Sequence, residues 1–536
     1  MSKAIPRKER LYVFDTTLRD GAQTTGVDFS VEDKRQIALA LDKLGIDYIE
    51  GGWPGANPTD TAFFAAPPAL TQARFTAFGM TKRSGRSAAN DPALAQVLDS
   101  GAPAICLVGK SWDFQVDVAL EIPREENIDN IARSIEAAVA KGREAMLDAE
   151  HFFDGYKSNP GYALDCVKAA ADAGAKWLVL CDTNGGTMPE DVYRIVSEVK
   201  AKLPDAPLGI HAHNDTGQAV AVTLAAIRAG ARQLQGTLNG LGERCGNANL
   251  CTLLPNLLLK EPYASQFETG VTPAQLARIT HVSRLLDEIL NRAPARHAPY
   301  VGPSAFAHKG GLHSSAVMKD PATYEHVKPE SVGNKRVIPV SDQSGRSNVL
   351  ARLAEVGIDL EPKDPRVTRL LEQIKQREFS GYAYDGAEAS FELLARRALG
   401  QVPDYFTVDS FRVSVERWRE DGEFVSESEG VVRLKVAGKK IHNVGTGNGP
   451  VNALDAALRK DLGKYSSYLQ DLRLVDFKVR ILTSGTEAIT RVMVESADGK
   501  GNRWSTVGVS ENIVDASFEA LTDSITYKLL RDGASI

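Results

Sequence analysis

His211 and His213 are separated by a single residue, and this spacing is the feature of the sequence that points most directly to chemistry. Alternate side chains of a β-strand lie on one face, so both imidazoles would point the same way, as two ligands of one metal ion require. The same spacing also occurs on strands that simply have a polar face. Asp20 adds a carboxylate at the end of another predicted strand, and mixed imidazole and carboxylate ligation suits Zn, Mn, Co or Fe, with Mg also possible. The sequence therefore predicts a divalent cation held by Asp20, His211 and His213.

Eight short aliphatic or β-branched runs in the first 250 residues must position these ligands, and they alternate with segments of helical periodicity such as 32–44 and 161–173. The runs are 12–18, 48–52, 74–79, 104–109, 144–152, 177–183, 207–215 and 233–242. Their starts are spaced by roughly 30 residues, the length of one βα unit. Eight such units predict an α/β fold of the closed (β/α)₈ TIM-barrel type. An open doubly wound sheet is the alternative, but its glycine-rich first turn is replaced here by Arg19-Asp20-Gly21.

Other polar residues follow these runs at the places where barrel chemistry is found. Active sites of this fold are built from the carboxyl ends of the strands and the loops after them. Arg19 follows the first run, Glu150 lies in the fifth, Thr183 ends the sixth and Asn247 follows the eighth. We therefore expect these side chains to surround the proposed cation.

Length and composition limit the class of protein. A chain of 536 residues exceeds one hydrophobic core, and we predict a catalytic barrel over 9–290, linker subdomains over 291–403 and a regulatory α+β domain over 404–536. The net charge of -6 argues against a nucleic-acid partner, and no apolar run approaches the roughly 20 residues of a membrane helix. Residues 1–10 lack the apolar core of a secretory signal and the five cysteines are odd in number, so we expect a cytoplasmic protein with reduced thiols.

Several motifs together resemble the isopropylmalate and homocitrate synthase family of the DRE-TIM metallolyase superfamily. The segment 15–23, DTTLRDGAQ, is similar to the first signature of the superfamily, 211–215 to its metal pair, and 240–247, GLGERCGN, to its eighth-strand motif. The segment 306–313, FAHKGGLH, followed by Tyr324, resembles the linker of the synthases. The segments 48–55 and 150–156 look most like the citramalate synthase branch. The resemblance implies an acyltransferase that condenses acetyl-CoA with a 2-oxo acid, here pyruvate, to give citramalate for isoleucine biosynthesis.

In such an enzyme, a divalent ion chelated by the carboxylate and keto oxygens of the 2-oxo acid polarises the keto carbon. Arg19 keeps its charge at working pH and would stabilise the developing alkoxide, or it pairs with Asp20 or Glu150 for structure alone. Thr183 would donate its hydroxyl to the substrate carboxylate, although threonine is also a good strand former. Asn247 is either a fourth metal ligand through its amide oxygen or a turn residue in a glycine-rich loop.

The acetyl group must lose a proton before it can attack, and this step needs a positioned base. The resemblance implies that His313 is central to the proton relay, that Tyr324 orients it or donates to the thioester oxygen, and that Glu150 positions water for the final hydrolysis. A lone loop histidine is otherwise a surface residue. In the family the linker reaches a partner barrel, which implies a homodimer with shared sites.

Alternating strands and an Asp498-Gly499 turn predict the C-terminal α+β domain, and Pro450 is expected to begin a helix over 451–462. The glycine-rich segment before this helix could suggest a nucleotide loop, but no βαβ unit follows. The domain resembles the regulatory domain of the family, which implies an isoleucine effector at a dimer interface.

Alternatives stay open at this point: a carbon–carbon lyase on the same barrel, an amino-acid sensor without activity, and 2-isopropylmalate or homocitrate synthesis from another 2-oxo acid. A pocket difference of one methyl group is worth only about 1 to 3 kcal/mol, so a few residues decide between such substrates. Candidates for the wall around the alkyl group are Phe78, Met80, Cys106 and Phe152.

Overall fold

The computed structural model describes residues 8–339, 345–483 and 488–536. The chain forms two compact units. The first comprises the residues up to Phe306 together with Val327–Lys335, and the second comprises Ala307–His326 and Arg336–Ile536.

The first unit is built on a closed barrel of eight parallel strands, which confirms the predicted TIM barrel. The first strand pairs with the eighth, Tyr12 opposite Gln233, and so closes the sheet. In chain order the strands are Tyr12–Asp15, Tyr48–Gly52, Arg74–Met80, Ala104–Lys110, Glu144–Glu150, Trp177–Asp182, Leu208–Ala212 and Gln233–Gly236. Because both faces of such strands are covered, the runs are almost continuously apolar.

Some of these strands end earlier than the apolar runs predict. The first strand stops at Asp15 rather than at residue 18, because the Asp15 carboxylate accepts hydrogen bonds from the backbone N–H and hydroxyl of Thr17 and turns the chain. The eighth stops at Gly236 rather than at 242, where a short 3₁₀ turn, Leu238–Gly240, begins the next loop. These early ends lengthen the loops that carry the polar residues.

Helices surround the barrel and bury their apolar faces against it. The helix predicted over 32–44 spans Val31–Leu44, with a Ser30–Asp33 capping box at its start and Gly45 in the left-handed region at its end. The helix predicted over 161–173 spans Pro160–Asp172. The remaining α-helices of this unit are Pro58–Ala65, Pro92–Leu98, Asp113–Gln115, Arg124–Ala140, Phe152–Ser158, Pro189–Lys202, Ala219–Ala229, Leu250–Leu259, Tyr263–Gln266, Pro273–Leu276 and Ile279–Ile289, with a π-helical turn at Val116–Leu120.

The second unit contains two antiparallel sheets of three strands each. They are formed by Thr407–Glu420, Glu423–Val436 and Lys439–Gly447, and by Arg473–Ile481, Thr490–Ala497 and Arg503–Ser510. Its α-helices are Gly311–Lys319, Arg346–Glu355, Pro365–Phe379, Glu388–Ala398, Pro450–Lys460 and Ile513–Arg531. The helix predicted from residue 451 begins one residue earlier at Pro450 and ends at Lys460. In the described ranges, no helix combines the length and apolar character needed to cross a membrane.

Candidate active site at the barrel mouth

Asp20, His211 and His213 come together at the carboxyl ends of the barrel strands. His211 Nε2 lies 3.3 Å from Asp20 Oδ2 and 3.2 Å from His213 Nε2. His213 Nε2 lies 3.9 Å from the same carboxylate oxygen. All three residues are buried, and their ligand atoms lie within 4.8 Å of one another, the arrangement expected of three ligands around one ion.

The charges of this cluster suit a cation. Burial disfavours ionisation of Asp20, but Arg19 and His211 hold the pKa of its carboxyl well below the usual range. Burial and the neighbouring His211 lower the pKa of His213 to about 3, so this ring is neutral at working pH. Burial also opposes charge on His211, yet the hydrogen bond to Asp20 raises its pKa. A carboxylate and an unprotonated imidazole, both aimed at one point, are a donor set that a divalent cation satisfies.

Asn247 completes the cluster from the loop after the eighth strand. Its Nδ2 donates to Asp20 Oδ2 over 3.0 Å, whereas its buried Oδ1 has no hydrogen-bond partner among the described residues. A buried amide oxygen without a partner costs free energy. A half-turn of the amide exchanges its two atoms and directs this oxygen to the ligand cluster. The residues present thus fit a site with two imidazoles, one carboxylate and one amide oxygen.

Arg19 lies beside the cluster and is held by three groups. Its Nε donates to Glu50 Oε2 over 2.7 Å, its Nη1 lies 3.7 Å from Asp20 Oδ2, and its guanidinium covers the ring of Phe78 at 3.9 Å. Of the two carboxylates considered as structural partners of Arg19, Asp20 lies nearby, but the shortest ion pair is to the buried Glu50, which the sequence did not reveal. Burial raises the pKa of Glu50 even beside Arg19. A carboxylate inside the apolar run of the second strand was the signal that could have revealed it.

Glu150, the last residue of the fifth strand, and Thr183, the residue after the sixth strand, line the same cavity. Glu150 forms an ion pair with Lys110, a partner that the sequence analysis missed. Thr183 Oγ1 accepts a 2.8 Å hydrogen bond from the backbone N–H of His151, which leaves the hydroxyl proton of Thr183 free to be donated elsewhere. His151 itself lies in the left-handed region, with φ 56°.

The cavity above the cluster has a volume of about 660 Å³, enough for a small acid and part of a larger ligand. Phe78 and Met80 belong to its wall, as expected. Cys106 instead packs inside the barrel with residues such as Phe14 and Met146, and Phe152 begins a helix and packs against Phe153 and Tyr156. Their positions in apolar runs made all four look equivalent, but of the four only Phe78 and Met80 line the cavity, whereas Cys106 lies deeper in the barrel beside Glu50 and Asp148.

His313 and Tyr324 belong to the second unit. Their rings stack with centroids 4.2 Å apart, and both side chains are exposed. The side chain of the next residue, Glu325, is buried and accepts two hydrogen bonds from Arg336, at 2.6 and 2.7 Å, while His308 Nε2 lies 3.3 Å from its Oε1. This network fixes the backbone beside Tyr324.

Comparison with known proteins agrees with this geometry. A family model described as HMGL-like matches residues 10–285, and two further models match later segments: homocitrate synthase post-HMGL domain-like at 300–380, and LeuA allosteric (dimerisation) domain at 385–529. An (R)-citramalate synthase of Aquifex aeolicus is 50% identical over 529 residues, which cover 98% of each chain. The chain belongs to the (R)-citramalate synthase family.

Other relatives agree with this assignment. An (R)-citramalate synthase of Geobacter sulfurreducens is also 50% identical, over 96% of this chain and 97% of the relative. A Methanopyrus kandleri protein named "Probable 2-isopropylmalate synthase" is 31% identical over 96% of this chain and 98% of its own length. Citramalate synthases are acyltransferases, and these two (R)-citramalate synthases are more similar to this chain, at 50% identity, than the 2-isopropylmalate synthase is.

Proposed function

We propose that this chain joins the methyl carbon of acetyl-CoA to the keto carbon of pyruvate and then hydrolyses the thioester, releasing citramalate and CoA. The observation that carries the proposal is the convergence of Asp20, His211 and His213 beside Arg19, in a cavity of about 660 Å³ within a citramalate synthase family chain. The product would feed isoleucine biosynthesis through 2-oxobutyrate.

Asp20, His211, His213 and Asn247 would hold the divalent metal. When bound, such an ion acts as a Lewis acid toward a 2-oxo acid. Zn, Mn, Co and Mg are all compatible with these donors, and nitrogen ligation favours the transition metals.

Arg19 and Thr183 would recognise the 2-oxo acid. The guanidinium of Arg19 is oriented by Glu50 and Phe78, so it is ready to stabilise negative charge on the keto oxygen as the new carbon–carbon bond forms. The hydroxyl of Thr183, with its acceptor side taken by His151, would donate to the carboxylate of the substrate. Phe78 and Met80, which line the cavity, would restrict the space around the alkyl group and so favour pyruvate over larger 2-oxo acids.

His313 and Tyr324 would supply the proton transfers at the acetyl group. His313 takes a proton from the methyl group of acetyl-CoA, and Tyr324, stacked on its ring, orients it or donates to the thioester oxygen. Glu150, paired with Lys110, would position the water that cleaves the carbon–sulfur bond. Following the family, we propose a cytoplasmic homodimer in which each barrel receives His313 and Tyr324 from its partner.

The substrate assignment is tested by measuring CoA release with acetyl-CoA and pyruvate, 2-oxobutyrate, 2-oxoisovalerate or 2-oxoglutarate. We expect the highest kcat/KM with pyruvate and loss of activity after chelation, restored by added metal. Preference for 2-oxoisovalerate would indicate isopropylmalate synthesis, and preference for 2-oxoglutarate would indicate homocitrate synthesis. Activity that survives complete removal of metal would contradict the metal site.

The shared site is tested by mixing inactive His313→Ala chains with inactive Arg19→Ala chains. If the residues come from different subunits, heterodimers contain one intact site and regain part of the activity. Heterodimers shown to form without any recovery would refute the exchange.

We further propose that the barrel over 9–290 and the linker over 291–403 are controlled by the domain over 404–536, with isoleucine as its effector. The match of 385–529 to the LeuA allosteric (dimerisation) domain supports this division of roles. Inhibition by isoleucine should disappear in a chain that keeps its activity but carries substitutions in this domain. Unchanged activity of the natural chain up to millimolar isoleucine would count against the effector.

A further inference from the structure

Gln235, in the eighth strand, contacts His211 of the metal cluster. It is buried, and its Oε1 lies 2.8 Å from Nδ1 of His211. The other ring nitrogen of His211, Nε2, faces Asp20 and His213. An imidazole bound to a metal through one nitrogen must carry its proton on the other, so the group that faces Nδ1 decides which nitrogen is available.

Asp148, from the fifth strand, determines which way the amide of Gln235 points. Nε2 of Gln235 donates to Asp148 Oδ1 over 3.0 Å. If the amide were turned, its oxygen would face the Asp148 carboxylate and its NH₂ would face Nδ1 of His211, so two acceptors would oppose each other. The carboxylate therefore keeps the amide oxygen toward His211, where it accepts the Nδ1–H hydrogen bond.

We propose that Asp148 and Gln235 are positioning residues that hold His211 with its proton on Nδ1 and its Nε2 lone pair aimed at the metal. The inference rests on the metal site of the proposed function and adds two residues to it that do not touch the ion. Supporting groups of this kind typically change metal affinity about 10- to 100-fold.

The same strand provides a matched control. Gln233 is also buried inside the barrel, but its Nε2 contacts the sulfur of Met146 at 3.4 Å, and its Oε1 has no hydrogen-bond partner in the part of the chain that the structure describes. A glutamine at this depth is thus not by itself connected to the metal cluster. Replacing Gln233 therefore measures how the loss of a buried amide that does not contact the cluster affects metal binding.

The experiment measures the Kd for Mn²⁺ by titration calorimetry on the full chain after chelation, with thermal unfolding of each variant as a check of folding. Gln235→Leu should weaken binding about 10- to 100-fold, whereas Gln233→Leu should leave it unchanged. Asp148→Asn should weaken binding because an asparagine accepts either orientation of the Gln235 amide. The double variant D148N/Q235E should recover most of the loss, since the new carboxylate can only accept from His211 and the new amide can donate to that carboxylate.

The double variant separates positioning from packing, because it has the volume and net charge of the natural pair. Equal binding by the natural chain and Gln235→Leu would overturn the inference and leave the proposed function intact. Failure of D148N/Q235E to bind better than D148N would also overturn it. Absence of Mn²⁺ binding by the natural chain would overturn the metal site and this inference together.

A measurement on the natural chain tests the proposal even if the variants fail to fold. In the zinc-loaded protein with ¹⁵N-labelled histidine, His211 should bind through Nε2 and show an Nδ1–H that exchanges slowly with water. Binding through Nδ1, or rapid exchange of the Nδ1 proton, would contradict the proposal.

Discussion

Arg19 combines a fixed charge with a fixed orientation, and the second property distinguishes it from a lysine. Its planar guanidinium donates to Glu50 and rests on the ring of Phe78 while it approaches Asp20. A lysine would place a single charge at the end of a flexible chain and could not maintain these contacts at once. The role we assign to Arg19 depends on a charge already in position when negative charge develops on the substrate.

Arg19→Lys should therefore lower kcat by about 10²-fold or more, the usual cost of losing one positioned donor to a developing oxyanion. Its Kd for Mn²⁺ should change little, since the ligands remain. Steady-state kinetics and calorimetry on the same preparation check both values. A variant with normal kcat would show that charge alone is sufficient.

Thr183 offers a separate test of substrate recognition. Thr183→Val keeps the shape but removes the hydroxyl, and a hydrogen bond to a charged group contributes about 1.5 to 3 kcal/mol. We expect KM for pyruvate to rise about 10-fold or more, while KM for acetyl-CoA stays near its original value. Thr183→Ser retains the hydroxyl and should behave much like the natural chain; equal kinetics of the Val and Ser variants would exclude the donor role.

The sequence reveals polar residues that have a recognisable spacing or follow a strand better than isolated polar residues inside strands. His211 and His213 stood out because of their alternate spacing, and Asp20 because it follows an apolar run; the structure brings the three together. Glu50 escaped notice because it is the one charged residue within its strand, and Gln235 because a neutral amide two residues after Gln233 looks like an ordinary polar face. Their roles follow from hydrogen bonds across the barrel, and such pairings are set by the closed sheet.

The loop after the eighth strand must bend sharply to bring Asn247 to the metal cluster. Gly246 has φ 87°, and a Cβ atom there would overlap the backbone oxygen of Gly240. Both the backbone conformation and the lack of space for a side chain therefore require glycine at this position. The approach of Asn247 to Asp20 depends on this glycine.

Gly246→Ala should lower the thermal unfolding midpoint and weaken Mn²⁺ binding together. Gly101→Ala is the matched control, because Gly101 has a similar φ of 81° but open space around its Cβ position. The control should lose only about 1 to 3 kcal/mol for the unfavourable backbone conformation and keep its metal affinity. Unchanged metal binding by Gly246→Ala would mean that the loop adjusts without this turn.

Element types were predictable from periodicity, while element ends were not. The eight runs located all eight barrel strands, because buried parallel strands are continuously apolar. The first strand was predicted three residues too long, since Leu18 continues the apolar pattern after the Asp15–Thr17 hydrogen bonds have already turned the chain. Local side-chain hydrogen bonds of this kind compete with the strand and are weakly marked in the sequence.

For the molecule as a whole, the four proposed ligands lie on both sides of the junction between the first and last barrel strands. Asp20 follows the first strand, whereas His211, His213 and Asn247 belong to the last quarter of the barrel. An ion bound by all four would connect the two ends of the closed sheet. Metal binding and barrel stability should therefore be coupled.

Adding Mn²⁺ at about 100 times its Kd should stabilise the barrel by about 2.7 kcal/mol. For a unit of this size the unfolding midpoint should rise by roughly 4 °C. Differential scanning calorimetry with and without metal measures the shift, and Asp20→Asn should remove it. An equal shift in Asp20→Asn would indicate binding elsewhere on the chain.

The position of the ligands along the chain also sets the order of events during synthesis. As the chain leaves the ribosome from its N-terminus, Asp20 emerges early, and the set of proposed ligands is complete only when Asn247, 227 positions later, has been made. A chain that has been made only as far as the middle of the barrel contains one of the four proposed ligands, the carboxylate of Asp20. We therefore expect an ion to bind all four proposed ligands only after the whole barrel has been made, so that the assembled pocket rather than a nascent segment would select the metal.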